Sequence, residues 1–181
     1  MLRLTIPLED EKWDESKQEF IPPKTQTLQL EHSLVSLSKW ESTWNKPFLS
    51  AKDMTYEETI DYIKCMTLTS NVNSKIYDYL TPNHIDQIRT YIAAPMTATT
   101  FSKDNSGKPS REVVTSELIY YWMIALNIPF ECQKWHLNRL ITLIKVCNVK
   151  NNPPKKSSKR DIMSRNAALN AARKQRLNSK G

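Results

Sequence analysis

Glycine is almost missing from this sequence: it occurs twice among 181 residues, as Gly107 and as the last residue, Gly181. A chain with one internal glycine cannot form the loop of P-loop proteins or the G-x-G-x-x-G turn of dinucleotide-binding folds, because each needs several glycines at fixed spacing. It also lacks the G-x-S-x-G turn that presents the serine nucleophile of α/β-hydrolases. The shortage of glycine argues against most nucleotide-dependent and hydrolase chemistry.

Long apolar runs and a secretion signal are lacking as well. The longest uninterrupted apolar stretch, residues 118–126, has nine residues, whereas a membrane helix needs roughly 20. Residues 2–8 alternate between apolar and polar, which is typical of a strand and not of a signal peptide. Three cysteines, an odd number, favour free thiols in a reducing compartment. We therefore expect a soluble, cytoplasmic protein that has no membrane partner.

Positive charge is concentrated towards the C-terminus. Residues 150–181 contain ten Lys and Arg and one acid, a net charge of +9. Residues 1–149 contain 16 basic and 18 acidic side chains, a net charge of −2. This asymmetry is typical of an interaction arm attached to a folded body. We predict a globular domain over residues 1–149 and a basic extension over residues 150–181.

The apolar pattern predicts an α+β fold that is predominantly helical. Residues 2–8 and 26–31 alternate with a period of two, which predicts a hairpin-like β element. From Ser33 onward the period is that of a helix, and Pro47 ends the first helical segment. We expect the N-terminal β element to pack on a helical bundle, followed by a basic C-terminal helical extension.

Capping residues mark the later helices. Thr55 and Glu58 have the spacing of a capping box, and the helix that they open is expected to turn Tyr56, Ile60 and Ile63 inward. Thr81 followed by Pro82 predicts another helix start, because proline suits the first helical position.

A helix that begins near Thr115 is apolar on all sides over residues 118–126, which predicts burial on several sides. The next helix, over about residues 132–147, is expected to be its partner. We expect these two helices to form the centre of the core.

Metal or nucleophilic chemistry has little support. Cys132 and His136 are four residues apart and could supply two zinc ligands, or a thiol with a neighbouring base. His32, His84 and Cys65 show no paired spacing that would complete a metal site, and no oxyanion turn accompanies the thiol. The simpler interpretation is a buried thiol and a half-exposed histidine.

Carboxylate pairs are also more typical of surface charge than of acid–base catalysis. Glu57 and Asp61 belong to a helix start, whereas Asp10 and Asp14 belong to a solvated loop. We predict that the protein is not an enzyme and has no catalytic residue, metal or cofactor.

Three tryptophans are candidate aromatic anchors for a partner. Trp40 and Trp44 lie on one helical face and could form a stacking platform for bases or for a partner's proline. Because Leu34 and Leu37 share that face, packing in the core is the favoured interpretation. Trp135 either packs against the N-terminal layer or is exposed at an interface.

The basic extension has three interpretations. It could bind an acidic or helical protein partner and become ordered on binding. It could instead neutralise nucleic-acid phosphates. The third interpretation is a solubilising tail. Its apolar anchors are too few for the helix to fold alone. The basic side chains expected to contact a partner are Lys155, Lys156, Arg160, Arg165, Arg173 and Arg176.

Six stretches of the sequence carry a resemblance that spans nearly the whole chain. They are residues 28–34 (LQLEHSL), 38–42 (SKWES), 61–67 (DYIKCMT), 95–99 (PMTAT), 119–132 (IYYWMIALNIPFEC) and 164–170 (SRNAALN). Together they resemble a small protein of long-tailed bacteriophages that belongs to the tail-gene module and is similar to a tail assembly chaperone.

This resemblance implies a helper that binds and does not catalyse. Tail assembly chaperones bind the long, helical tape measure protein, keep its apolar segments soluble and help to recruit tail-tube subunits. They act in the cytoplasm of the host bacterium, are expected to be absent from the finished virion, and in many cases also exist in a frameshift-extended form. Association of several copies is compatible with this role.

Two other functions remain open at the level of sequence. A structural virion component, such as a head–tail connector or a tail subunit, would use the extension as a docking arm. A nucleic-acid-binding accessory protein would use it to contact phosphates, with a steep dependence of affinity on salt.

Overall fold

The computed structural model describes residues 1–9, 12–51, 53–101, 112–151 and 159–177. The chain forms two units, Met1–Cys147 and Asn148–Gly181. The run DNSGKP within residues 102–110 is typical of an exposed loop, and these residues lie outside the described ranges.

The first unit begins with two small antiparallel sheets. Strands β1 (Leu2–Pro7) and β4 (Thr25–Leu30) pair so that Leu2 lies opposite Leu30. Strands β2 (Lys12–Asp14) and β3 (Glu19–Ile21) form the second pair. The period-two pattern sends alternate side chains of β1 and β4 to one face, and these are buried: Leu4, Ile6, Leu28 and Leu30. The predicted hairpin-like element is confirmed.

The remaining described elements are helical, so the predicted α+β, predominantly helical fold is confirmed. The α-helices are α1 (Leu34–Trp44), α2 (Tyr56–Met66), α3 (Pro82–Ala93), α4 (Ser116–Ala125), α5 (Leu137–Asn151) and α6 (Lys159–Leu177). Short 3₁₀ helices span Phe48–Ser50, Ser74–Tyr79 and Phe130–Lys134.

The capping box predicted for α2 is present. Glu58 N–H donates to Thr55 Oγ1 at 3.2 Å, and Thr55 N–H donates to Glu58 Oε2 at 2.8 Å.

The core of the first unit has two clusters that meet at α1. One joins Trp40 of α1 to β1, β4, α2 and α3. The other joins Leu34 and Leu37 of α1 to α4, α5 and the 3₁₀ helix Phe130–Lys134. Helix α1 therefore contributes buried side chains to both clusters and connects them.

The prediction that α4 is buried on several sides is wrong. Ile119 and Met123 are fully buried, but Tyr121 is 63% exposed and Ile124 is 61% exposed. Among the described residues, the second cluster contacts the helix from one side, and a helix that contacts a core from one side buries only part of its circumference. The apolar residues on its other side are therefore surface residues.

Two further expectations about helix faces need correction. The buried face of α2 centres on Glu58, Tyr62 and Met66, which leaves Tyr56 at its edge in the first turn, 68% exposed. The predicted helix over residues 132–147 begins only at Leu137, because a separate 3₁₀ helix contains Cys132.

Candidate partner-binding surfaces

Helix α6 carries most of the described part of the basic extension, whose first two residues end α5. All of its described side chains are exposed, including those of Arg160, Arg165, Arg173 and Arg176. Lys155 and Lys156, the other two predicted contact residues, lie outside the described residues. The 19 residues of α6 extend over roughly 28 Å, at about 1.5 Å per residue.

One face of α6 combines arginine with apolar side chains. At about 100° per residue, five side chains fall within an arc of about 80°: Ile162, Arg165, Leu169, Arg173 and Arg176. We call these five residues the arginine stripe. Arg160 lies on the opposite side of the helix, near Ser164 and Ala171. The helix therefore presents positive charge and exposed apolar surface to the same side.

Trp40 belongs to the core, as the packing interpretation predicts. Its side chain is fully buried, and its Nε1–H donates to the carbonyl oxygen of Glu58 at 2.9 Å. Its ring meets those of Phe48 and Tyr62 edge to face. An anchor must be exposed, so Trp40 does not provide one in this fold.

Trp44 is half-buried at the C-terminal end of α1. Its Nε1–H donates to Asp61 Oδ2 at 3.0 Å, and the ammonium of Lys46 lies 5.8 Å from its ring centroid. The same ammonium pairs with the buried carboxylate of Glu58, whose pKa is lowered by that hydrogen bond first and by the Thr55 backbone N–H second. Of the two neighbouring tryptophans, Trp44 is the one that reaches the surface.

Trp135 is half-buried and packs against the second core cluster, immediately before α5. The guanidinium of Arg139 lies 4.1 Å from its ring centroid, in cation–π geometry. The ring is thus held between the core on one side and a cation on the other. The ring packs against the second cluster and not against the N-terminal layer that the sequence suggested.

Sequence reasoning missed the exposed side of α4. Tyr121 and Ile124 are three residues apart and so share a face of the helix. Exposed apolar side chains that adjoin on a surface are typical of interaction sites. An all-apolar helix indicates burial, and only the arrangement of the neighbouring elements shows which side stays open.

A buried polar cluster was also missed. His32 and His136 are both buried, and a hydrogen bond of 2.5 Å joins His32 Nδ1 to the hydroxyl of Tyr62. His136 Nε2–H donates to the carbonyl oxygen of Tyr91 at 3.0 Å, while the Tyr91 hydroxyl donates to Glu31 Oε1 at 2.6 Å. These contacts link β4, α2, α3 and the start of α5.

The environment of this cluster keeps both imidazoles neutral. Burial lowers the pKa of His32 to about 3, with the neighbouring His136 as a second cause. Burial likewise lowers the pKa of His136. Neutral, hydrogen-bonded imidazoles at this depth connect elements of the fold.

The structure does not place Cys132 and His136 on one helix, so the spacing of four residues does not bring them to one helical face. The expected buried thiol is confirmed at Cys132, whereas the expected half-exposed histidine is wrong, because His136 is buried. Cys132 lies in a 3₁₀ helix, whereas His136 lies between that helix and α5. Burial raises the pKa of the Cys132 thiol, which disfavours the nucleophilic thiolate. Among the described residues, no group of three or more His, Cys, Asp or Glu side chains is placed to hold a metal ion.

No protein-family model, curated protein or solved structure matches this chain. Within the described ranges, no helix is long and apolar enough to cross a membrane. In the part of the chain that the structure describes, α6 and the open side of α4 both expose side chains that a partner could contact.

Proposed function

We propose that this protein is a tail assembly chaperone-like protein of a long-tailed phage. It binds the tape measure protein and assists tail assembly in the cytoplasm of the host bacterium through reversible, non-covalent contacts. The observation that carries the proposal is α6, a helix of 19 residues on which every described side chain is exposed. A helix whose described side chains are all exposed offers them to a partner.

The chemistry of α6 suits a helical protein partner. Exposed Ile162 and Leu169 supply apolar contacts, and Arg165 and Arg173 on the same face supply charge and hydrogen bonds. A partner helix with apolar and acidic side chains would match this face, which is the helix-on-helix mode of recognition. The extension would become ordered when it binds its partner, because its own apolar surface is too small to stabilise it in isolation.

The open side of α4 supports the same function. A chaperone that keeps apolar segments soluble needs apolar surface of its own, and Tyr121 and Ile124 provide it. Two separate surfaces would allow one molecule to hold the tape measure protein and to contact a tail-tube subunit.

Mass spectrometry on two samples from one phage infection tests the proposal. The first sample is a pull-down of the tagged protein from the lysate, and the second is purified virions. We expect the tape measure protein in the pull-down and no copies of this protein in virions. Stoichiometric presence in virions would contradict the chaperone function and would support the structural alternative, a connector or tail subunit.

Nucleic acid is the remaining alternative for the basic helix. Recovery of nucleic acid in place of any tail protein, with an affinity that falls steeply as salt rises, would replace the proposal. Capture of the tape measure protein after nuclease treatment would exclude an indirect link through nucleic acid.

A further inference from the structure

A groove of about 290 Å³ lies on the first unit, along the side of α2 that includes Tyr56. Glu57 and Asp61 are four residues apart on that side, so both carboxylates point to the same groove. Trp44 at the end of α1 forms one wall, and Tyr77 with Asp78 in the 3₁₀ helix Ser74–Tyr79 forms the other. The groove thus combines aromatic walls with carboxylates.

The charge of the groove is negative. Three carboxylates, those of Glu57, Asp61 and Asp78, line it together with one ammonium, that of Lys64. Glu57 and Asp78 are exposed, whereas Asp61 is half-buried and accepts the Trp44 hydrogen bond. A cationic segment that carries apolar side chains would complement this lining in both charge and polarity.

The aromatic rings of the groove already contact cations within the protein. The Lys64 ammonium lies 5.8 Å from the centroid of Tyr77, and the Lys46 ammonium lies 5.8 Å from that of Trp44. Both distances fall within the cation–π range of about 6 Å. Tyr56, which is largely exposed, adds a third ring at the rim.

We propose that this groove binds the arginine stripe of α6 from a second copy of the chain. Helix α6 has six basic side chains and one acidic side chain, so it complements a groove with an excess of carboxylates. Within the stripe, Arg165 and Arg173 flank Leu169, which places an apolar side chain between two cations. On its α2 side the groove offers the apolar side chain of Ile60 beside the carboxylates of Glu57 and Asp61.

The association is reciprocal. Each copy has one groove and one stripe, so two copies that exchange their α6 helices fill both grooves and form a closed dimer. The contact is electrostatic in large part, and its strength therefore falls as salt rises. The evidence for this self-association is separate from that for the proposed function. Both contacts use the same side of α6, so a second copy and the tape measure protein would compete for it.

Light scattering coupled to size-exclusion chromatography, over a range of concentrations of the full chain, tests the proposal. We expect a dimer that dissociates on dilution. One variant, Arg165→Glu/Arg173→Glu, makes the stripe acidic, and another, Glu57→Lys/Asp78→Lys, makes the groove basic. Each variant alone should dimerise roughly tenfold more weakly or not at all, because like charges then meet. A mixture of the two variants should dimerise again, since every groove meets a stripe of opposite charge.

Matched controls separate this contact from general charge effects. Arg160→Glu changes an arginine of α6 that lies outside the stripe, and Asp86→Lys changes an exposed carboxylate of α3 that does not line the groove. Both should dimerise like the wild type, and circular dichroism should show the same fold for all variants. A monomeric wild type at every concentration would overturn the proposal. So would a mixture of the two folded variants that stays monomeric, or a dimer that neither variant weakens.

Discussion

The imidazole rings of His32 and His136 meet edge to face inside the protein, with centroids 5.1 Å apart. The two residues come from opposite ends of the first unit's chain, and the backbone joins them as well. Ser33 and His136 form an isolated β-bridge, and Leu137 N–H donates to the carbonyl oxygen of His32 at 2.7 Å. The start of α5 is thereby attached to the start of α1.

This pair predicts a loss of stability in mild acid. The folded pKa of His32 is about 3, whereas an unfolded imidazole has a pKa of about 6.5. Below about pH 6.5 the unfolded chain therefore binds protons that the folded chain does not. The free energy of unfolding should fall by up to about 1.4 kcal/mol per pH unit for this residue as the pH decreases towards 3. Urea titrations between about pH 8 and pH 5 would measure the slope.

Two variants make the acid prediction specific. His32→Gln removes one of the two buried imidazoles and should reduce the dependence of stability on pH, whatever its effect at neutral pH. His136→Gln removes the second buried imidazole and should also reduce the slope, because burial lowers the pKa of His136 as well. Equal slopes in the wild type and in His32→Gln would show that other groups cause the acid sensitivity.

The buried carboxylate of Glu41 predicts a second stability effect. It accepts hydrogen bonds from Phe48 N–H at 2.9 Å and from Ser116 N–H at 2.7 Å. Glu41→Ala leaves both buried donors without this acceptor and should destabilise the fold by about 2–4 kcal/mol. Glu41→Gln keeps one acceptor oxygen and should lower the free energy of unfolding by less than Glu41→Ala does.

The control is Glu117→Gln, which changes an exposed acid next to Ser116 in the first turn of α4. It should change the free energy of unfolding by less than about 0.5 kcal/mol. Equal effects of the three variants would contradict this role of Glu41.

Adjacent residues of α4 should respond in opposite ways to the same substitution. Ile124→Lys places an ammonium on the open side and should leave the melting temperature within a few degrees of the wild type. Met123→Lys buries an unpaired charge in the second core cluster and should prevent stable folding. Thermal unfolding followed by circular dichroism measures both. If Ile124→Lys failed to fold, the open side of α4 would have to be covered in solution.

The proposed function predicts that charge on the extension matters for binding but not for folding. A variant in which six basic residues of the extension are replaced by alanine tests this. The six are Lys155, Lys156, Arg160, Arg165, Arg173 and Arg176. The variant should recover less tape measure protein in the pull-down, whereas its melting temperature should stay nearly unchanged. A control that replaces exposed cations of the first unit, Lys75→Ala/Arg89→Ala, should recover as much as the wild type. A large fall in melting temperature of the six-residue variant would show that the extension is packed core.

Local signals in the sequence determined most of the secondary structure. Capping at Thr55 and Thr81 depends on side chains that reach backbone groups three residues away, so a short stretch of sequence contains the whole interaction. The pairing of β1 with β4 follows from period-two patterns on both strands. The charge asymmetry between residues 1–149 and 150–181 is likewise a property of composition alone.

Only the tertiary structure decided which faces are covered. Nothing in the pattern of α4 distinguishes Met123, which is buried, from Ile124, which is exposed. Trp40 and Trp44 share a helical face in sequence, yet only Trp40 reaches the interior, because α1 extends past the edge of the core at its C-terminal end.

The buried contacts of His32 with His136 and of Glu41 with Ser116 join residues that lie far apart in the chain. No periodicity connects such positions, since each contact forms when separate elements pack together. The sequence by itself therefore determined the elements and the distribution of charge. Packing between elements decided burial, the polar cluster and the groove on α2, because these depend on neighbours that local patterns do not specify.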